Sequence, residues 1–469
     1  MRRFRRTTLL TVACLAVLVG IGLAKIISFE LPIWGLLFIV FCLSLRPKRT
    51  IVLILVVLFG LSLGLWRGGA FAQKLGQIKS LSGQQVTIQA IASSDAIYST
   101  ASQLEFTVKN VQLAPDSQPL AGSFKISGFG EPMIYRGDQV LISGKIYPMR
   151  GANQARIAYA QLDKIGEDNA FMNRFTRDFK AGMYSALPEP NASFGLGLLI
   201  GQRNNLPSEL TTQLIMVGLV HIVAVSGYNL TIIIRAVSRL ELGSKFQRLA
   251  ASLLLIAGFL LMTGFSASIV RASLVAVLGL WAWYYGRKFK PVLLIALAAA
   301  VTGLANPFYV WGDLGWYLSF LAFFGVLVIA PLVAQRFKRR PKNLTMVVIE
   351  TLCAEIMTLP LIMASFGQLS LVALVANALV VPLIPFAMLL SAIAAAGGMW
   401  LTPVAGWLAW PANLLLTYIL DIAHWFSSIP SIFLHRSIST FSMLGFYGAV
   451  LIFVLAIHKH RKKPATAKI

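Results

Sequence analysis

Charge is scarce in this chain, and acidic charge is scarcest. Of 469 residues only 12% are charged, and 17 Asp and Glu stand against 41 Lys and Arg. So little charge beside 57% hydrophobic residues excludes a soluble globular enzyme. Cysteine is nearly absent: Cys14, Cys42 and Cys353 all fall in apolar runs and none lies between residues 67 and 190. That excludes a disulfide framework or a thiolate metal cluster there. No Gly-x-x-x-x-Gly-Lys-Ser/Thr loop is present, so an ATPase motor in this chain is excluded. His458 and His460 sit in a basic tail without neighbouring carboxylates and offer no hydrolytic metal centre. No cofactor and no metal are expected.

What the chain does have is apolar length, with a mean hydropathy of +0.75. Long uncharged runs recur, as in a polytopic α-helical membrane protein. Met1-Arg-Arg-Phe-Arg-Arg6 before the first run resembles a signal peptide, but no small-x-small cleavage site follows and a second span begins at once. A retained anchor is expected. Three spans come first, at residues 7–27, 31–45 and 50–66. Others follow at 218–238, 246–263, 267–285, 291–305, 314–334, 345–366, 371–397, 402–427 and 441–457. The basic residues sort onto one side of this alternation. Arg2 to Arg6, Arg46 to Arg49, Arg235 to Arg248, Arg287 to Lys290, Arg336 to Lys342 and Lys459 to Lys468 hold 24 of the 41. That is the positive-inside bias, so most of the net charge of +24 sets topology and does not report a substrate.

Between about 70 and 165 the pattern changes to period two, the mark of half-buried strands. Strands are expected at 85–92, 103–113, 122–128, 138–147 and 155–162. Pro115 to Pro119 and Tyr135-Arg-Gly-Asp138 supply turns. Five strands of this length fit a small OB-like Greek-key barrel, with a small β-sandwich as the alternative. Residues 170–190, with Arg174, Arg177 and Lys180, read as an amphipathic interfacial segment. Gly195–Leu214 is too short and broken for a clean span and is expected to be re-entrant or interfacial. The expected fold is thus about twelve spans, one re-entrant or interfacial segment, and an inserted external small all-β OB-like domain. Its divisions are N-terminal helices at 1–67, the β domain at 68–168, a connector at 169–217, a helical channel domain at 218–458 and a basic tail at 459–469.

Polar groups inside apolar spans cost free energy, about 2.5–3.5 kcal/mol for a central Arg on insertion scales, so they face a cavity or a partner. Gly201, Arg203, His221, Ser226, Gly227 and Asn229 form the densest such run. Ser226 with His221 suggests an intramembrane hydrolase. Five residues apart on one helix, however, they point to different sides. Interhelical hydrogen bonding is the plainer alternative there. Arg271 follows Gly264-Phe-Ser-Ala-Ser268, and Asp313 begins a span at matched depth, which motivates a pairing of the two. Snorkelling of Arg271 to the interface is the alternative. Glu355 enters the next span and needs a partner or a proton. Glu350 is five residues away, so the two do not share a narrow face. Asn377, followed by Pro382 and Pro385, marks a broken helix with freed carbonyls. Asp421 and His424 share one face, where a structural hydrogen bond is expected.

These segments, in this order, resemble the ComEC competence family over nearly the whole chain. The matches run from Leu199-Ile-Gly201 through Leu206-Pro207 to His221-Ile-Val-Ala-Val-Ser-Gly227. They continue with Gly264-Phe-Ser266, Arg271-Ala272 and Gly315-Trp-Tyr-Leu-Ser-Phe320. Phe366-Gly-Gln-Leu-Ser370, Asn377 and Pro382 complete them, and the β domain carries Gly137-Asp138 and Gly144. Departures are Gln202 for an acidic residue, Asn229 for a histidine, and Trp316-Tyr317 for Phe-Gln. Family members often carry a carboxy-terminal metallo-β-lactamase-like domain. This chain has no His-x-His-x-Asp-His run, so no nuclease activity is expected in it.

The resemblance implies a channel in the bacterial cytoplasmic (inner) membrane that passes single-stranded DNA inward during natural transformation. Both termini would be cytoplasmic. The implied partners are single-stranded DNA, the lipid bilayer, a DNA receptor and a cytoplasmic helicase or motor, with homo-oligomers an open option. Channel or gate candidates are Gly201, Arg203, His221, Ser226, Gly227, Asn229, Arg271, Asp313, Ser319, Glu355, Asn377 and Pro382. Residues 67–190 hold 13 basic and 10 acidic residues, a thin balance for phosphate binding. Base stacking on Phe124, Phe129, Tyr135 and Tyr147 is therefore the expected mode there. A transporter or channel for another anionic polymer or solute is the rival reading.

Overall fold

The computed structural model describes residues 6–26, 35, 49–98, 103–115, 118–129, 133–149, 153–168, 170–201, 206–223, 230, 244–264, 267–287, 290–337, 343–430 and 433–460. Helices α1 (Arg6–Leu23) and α2 (Arg49–Ser80) form the first unit. Gly60, Gly64 and Gly68 recur every fourth residue and so share one face of α2. A side-chain carbon on Gly64 would lie 2.2 Å from the Val17 carbonyl oxygen and 2.9 Å from Gly20 Cα. The two backbones touch there, the small-residue packing that holds helices together without a hydrophobic driving force. Gly64→Ala is expected to cost about 1–3 kcal/mol, because the obstruction is backbone and cannot step aside. Gly76→Ala, with open space around it, should be neutral or slightly stabilising. Thermal unfolding of the detergent-solubilised protein separates the two.

Helix α2 runs well past the expected span end at residue 66. Phe71, Leu75 and Ile78 recur at helical spacing, and Ile78 is buried in the core of the β domain. The helix therefore leaves the apolar layer and seats its last turns against the strands. These are β1 (Gln85–Ala92), β2 (Leu104–Leu113), β3 (Phe124–Phe129), β4 (Gln139–Pro148) and β5 (Ala155–Gly166). They close in the order β1-β2-β3-β5-β4-β1, every pair antiparallel except the parallel β3–β5 pair. A closed ring has no second sheet, so the barrel holds and the sandwich does not. Val86, Ile88, Phe106, Val108, Ile126, Val140, Ile142 and Ile157 fill its interior.

Helix α3 (Phe171–Ala186) follows, then α4 (Asn191–Ile200) and α5 (Ser208–Val217). The short α6 (Val220–Val223) and α7 (Lys245–Thr263) come next, with α8 (Ala267–Tyr284), α9 (Pro291–Ala305) and α10 (Phe308–Gly312). Helix α11 (Leu314–Phe324) continues through a π turn at Gly325–Ile329 into α12 (Ala330–Ala334), and α13 spans Asn343–Phe366. Helix α14 (Ala373–Val380) breaks at a 3-10 turn before α15 (Ile384–Trp400), and α16 (Ala405–Ser427) and α17 (Thr440–His460) end the chain. Between them, β6 (Gln368–Ser370) pairs with β7 (Phe433–His435).

Among the described residues seven helices are long and apolar enough to cross a membrane, against the expected twelve spans. Shorter apolar helices at Asn191–Ile200, Ser268–Tyr284, Pro291–Ala305 and Thr440–Val454 fall below that length. The expected span at 31–45, save residue 35, and most of that at 218–238 lie outside the described residues. The connector is not one interfacial piece. Its helices α3, α4 and α5 share a core with α14, α15 and α16, where Met183, Phe194, Leu198, Ala394 and Leu416 are wholly buried. Gly182 and Gly398 bring α3 and α15 into backbone contact.

Polar contacts tie helix ends together. Lys290 Nζ donates to Thr7 Oγ1 at 2.8 Å. At the opposite ends Arg67 donates to the carbonyls of Leu304 and Ala305, at 2.8 and 3.1 Å, and Trp311 Nε1 to that of Ile21 at 2.7 Å. These contacts bring the N-terminal ends of α1 and α9 together at one level and their C-terminal ends beside Arg67 at the other, from which α2 leads into the barrel.

Candidate functional site

Among the described residues the most deeply set charge in the helices is Arg271, on the first turns of α8. It is 3% exposed. Its Nη2 donates to the Gly315 carbonyl at 3.0 Å, while Nε and Nη1 have no partner. Asp313 is also buried, but it spends its carboxylate as the cap of α11, accepting from Trp316 N at 3.0 Å. The expected Arg271–Asp313 pairing is therefore corrected. Asp313 acts on Arg271 electrostatically, and no direct ion pair forms between them. The snorkelling alternative fails too, since the guanidinium is enclosed. Trp316, one of the departures from the family pattern, is buried with its indole N–H on Thr302 Oγ1 at 3.1 Å. Tyr317 donates to the Val310 carbonyl. Ser319 is half-buried one turn further along α11.

A second polar locus joins α13 to α14. Glu355 interacts with Asn377, which is 2% exposed. Glu355 Oε2 and Asn377 Oδ1 both lack hydrogen-bond partners. Two local irregularities frame them. Pro382 lies in the 3-10 turn that separates α14 from α15. On the other side Gly325 opens the π turn, where a side-chain carbon would lie 2.5 Å from the Cys353 carbonyl oxygen. Helix breaks of both kinds concentrate where backbone groups are used for more than packing.

The opening of the helical domain is described only in part. Gly201 caps α4 with φ of 75°, a left-handed turn that suits glycine. Gly218 caps α5 in the same way, and any side chain there would run into Ala373. His221 Nδ1 lies 3.0 Å from the Gly218 carbonyl, so its ring is tied to the preceding turn. Arg203, Ser226, Gly227 and Asn229 lie outside the described residues. His424 Nδ1 faces Gln213 Nε2 at 3.2 Å, a contact from α16 to α5 that sequence alone did not suggest.

The four barrel aromatics separate sharply. Phe124 is wholly buried in the barrel core, which corrects its selection as a stacking residue. Phe129 and Tyr147 are exposed. Tyr135 lies between two cations, with Lys164 Nζ 6.0 Å and Arg177 Cζ 5.5 Å from its ring centroid. It opens the turn that ends at Asp138.

That turn also docks the barrel on the helices. Arg136 N–H donates to Asp95 Oδ1 at 3.0 Å, and its guanidinium reaches the carbonyls of Met262 and Leu261 at 2.9 and 2.6 Å. Those are orphan carbonyls at the C-terminus of α7, where a cation is favoured by the helix dipole as well. Burial pushes Arg136 below the ordinary arginine value, against the opposing pull of Asp95 and Asp168. It remains charged. Lys180 of α3 pairs with the same Asp95. The barrel is thus fastened to the segment that leads through Gly264 to Arg271. Nothing in the sequence pattern near Arg136 reveals a contact 125 residues away.

The family model described as Competence protein matches residues 198–461. ComE operon protein 3 of Bacillus subtilis (strain 168) is 28% identical to this chain over 213 residues, 45% of this chain and 27% of that protein. The chain therefore matches just over a quarter of its relative's length. No solved structure matches.

Proposed function

This chain belongs to the competence protein family, and on that premise we propose that it is a membrane conduit for single-stranded DNA in competence. It is a membrane protein with a role in competence DNA uptake. The observation that carries the finer reading is Arg271: an enclosed guanidinium with two unpaired nitrogens, in a helix whose approach is fastened to the barrel. A polyanion cannot cross hydrocarbon, so it needs a protein-lined route with cationic or dipolar groups at breaks in the helices. Arg271 supplies such a cation, and the broken α14–α15 junction beside Asn377 supplies freed backbone dipoles. In this reading the barrel lies outside, both termini lie in the cytoplasm, and an outer DNA receptor and a cytoplasmic helicase work with the chain.

Deletion of the gene in a naturally transformable host tests the reading. Uptake of labelled DNA into the cytoplasm should disappear, while binding of duplex DNA at the cell surface persists. Unchanged uptake would sink the DNA reading and favour a different anionic solute.

A further inference from the structure

Glu355 and Asn377, on different helices, stand at the same spacing from a proline. Each lies five residues before one, Pro360 inside α13 and Pro382 in the 3-10 turn after α14. Proline has no N–H, so the carbonyls four residues earlier, those of Ile356 and Ala378, lose their helical donors. On both helices the freed carbonyl therefore belongs to the residue directly after the polar side chain. Asn377 also lies in the last turn of α14, the end at which the helix dipole is negative.

What gathers at this level is acceptors. Glu355 Oε2 and Asn377 Oδ1 are buried without a hydrogen-bond partner, and Asn377 as a whole is 2% exposed. Gly325 seats the π turn on the Cys353 carbonyl and Ala354, so backbone closes α13 just before Glu355. A carboxylate enclosed in this way needs a counter-charge. The helices packed against α13 are α11 with its π turn, α12, α14 and α17. None of α11 to α15 carries Lys or Arg. Helix α17 has only Lys459, and Tyr447 fixes the level of α17 by donating to the Met357 carbonyl. Lys459 is thus about 18 Å further along the axis, too far to pair with Glu355. The titratable side chains nearest this level on these helices, Glu350, Cys353 and Tyr447, include no cation.

We infer that Glu355 and Asn377 hold a monovalent metal cation of the sodium class between α13 and the broken α14–α15 helix. Oxygen donors without imidazole or thiolate select hard cations over transition metals. One carboxylate balances one charge, so a divalent ion would leave a buried excess. A proton could satisfy only one pair of oxygens, whereas an ion draws on several at once, freed carbonyls included. Discontinuous membrane helices place such ions at the C-terminal ends of their half-helices. The bound ion would also tie α13 to α14 beside the break. Such a site goes beyond the conduit reading and is independent of what the chain conducts.

The test is radiosodium binding to the full chain in lipid nanodiscs, with choline chloride holding the ionic strength constant. The wild type should bind sodium saturably. Glu355→Gln keeps the size and removes the charge, and should weaken binding about a hundredfold or more, as loss of one partner of a buried ion pair does. Asn377→Ala should weaken it about tenfold. Glu350→Gln should bind as the wild type does. Thermal unfolding separates lost binding from a lost fold: sodium should raise the midpoint of the wild type and not that of Glu355→Gln. Should Glu355→Gln unfold early in choline, Asn377→Ala, which keeps the carboxylate, carries the same decision. Wild-type affinity in the folded variant places the ion elsewhere and overturns the site. A folded wild type without saturable sodium binding overturns it too, and leaves Glu355 to a proton. Either failure leaves the conduit reading standing.

Discussion

Replacing Asp138 with alanine should destabilise the barrel by about 3–5 kcal/mol, as removal of one partner from a buried ion pair does. Asp138 is wholly buried. Its Oδ2 accepts from Tyr135 N at 2.9 Å and pairs with Lys164 Nζ at 3.0 Å, and its Oδ1 accepts from Asp168 N at 3.2 Å. One carboxylate thus closes the turn that carries Arg136, pins the segment leading into α3, and neutralises a cation under Tyr135. Alanine would leave two backbone N–H groups and an ammonium without it. Loss of barrel order, read as protease sensitivity of the solubilised protein between residues 130 and 170, is the expected result. A silent substitution would mean that water takes over all three bonds. The pair also fixes a pH dependence. Burial opposes the charge on Lys164, but its bonds to Glu167 and Asp138 outweigh that and raise it above the ordinary lysine value. A raised lysine contributes stability that is complete below its unfolded value, about 10.4, and is lost as pH rises through the folded one. Barrel stability should therefore stay flat through neutral pH on this account and fall only in strong alkali.

Why some of this was legible in the sequence, and some not, is clearest in the barrel. Alternation located the five long strands to within a few residues, because each buries one face only, and missed the two-residue strands Ile97–Tyr98 and Gln118–Pro119, too short to show a period. The same alternation would have placed Phe124 correctly, since it shares parity with inward Ile126. Choosing it for its aromatic ring ignored its pleat face. Tyr159 is the opposite case. It shares parity with Ala155 and Ile157, so a regular strand would hide it, but β5 carries one extra residue there against both β3 and β4, a β-bulge with Tyr159 at φ of +52°, and this turns the ring out to 76% exposure. Ring closure and the Arg136 contact with α7 were not readable, because pairing partners far apart in sequence leave no local periodicity. In the helices, polarity inside apolar runs singled out Arg271, Asp313 and Asn377, and the structure buries all three. Depth matching could not foresee that Asp313 caps α11, a role set by which backbone N–H groups lie nearest. The amphipathic pattern of residues 170–190 was visible, but not that its charges face the barrel through Asp95 and Asp168.

Arg271→Met should separate transport from stability, and in opposite directions. A buried guanidinium with one carbonyl partner and two unpaired nitrogens is a net liability to the resting fold. Each unmet buried donor costs about 1–3 kcal/mol, and an apolar side chain of similar length removes that cost. The methionine variant should therefore unfold at the same temperature as the wild type or higher. If the unpaired nitrogens take phosphate oxygens in transit, removing two charge-assisted bonds forfeits about 3 kcal/mol or more at that point, and DNA uptake falls roughly a hundredfold. Arg271→Lys keeps the charge but not the planar fork, so an intermediate loss is expected. Labelled-DNA uptake measured beside thermal unfolding gives both readings on the same variants. A methionine variant that unfolds early would make Arg271 a strut for the Gly315 carbonyl. One that is stable and still takes up DNA would remove it from the route. Only the stable, inactive combination follows from a cation kept enclosed at a structural cost because a passing anion needs it.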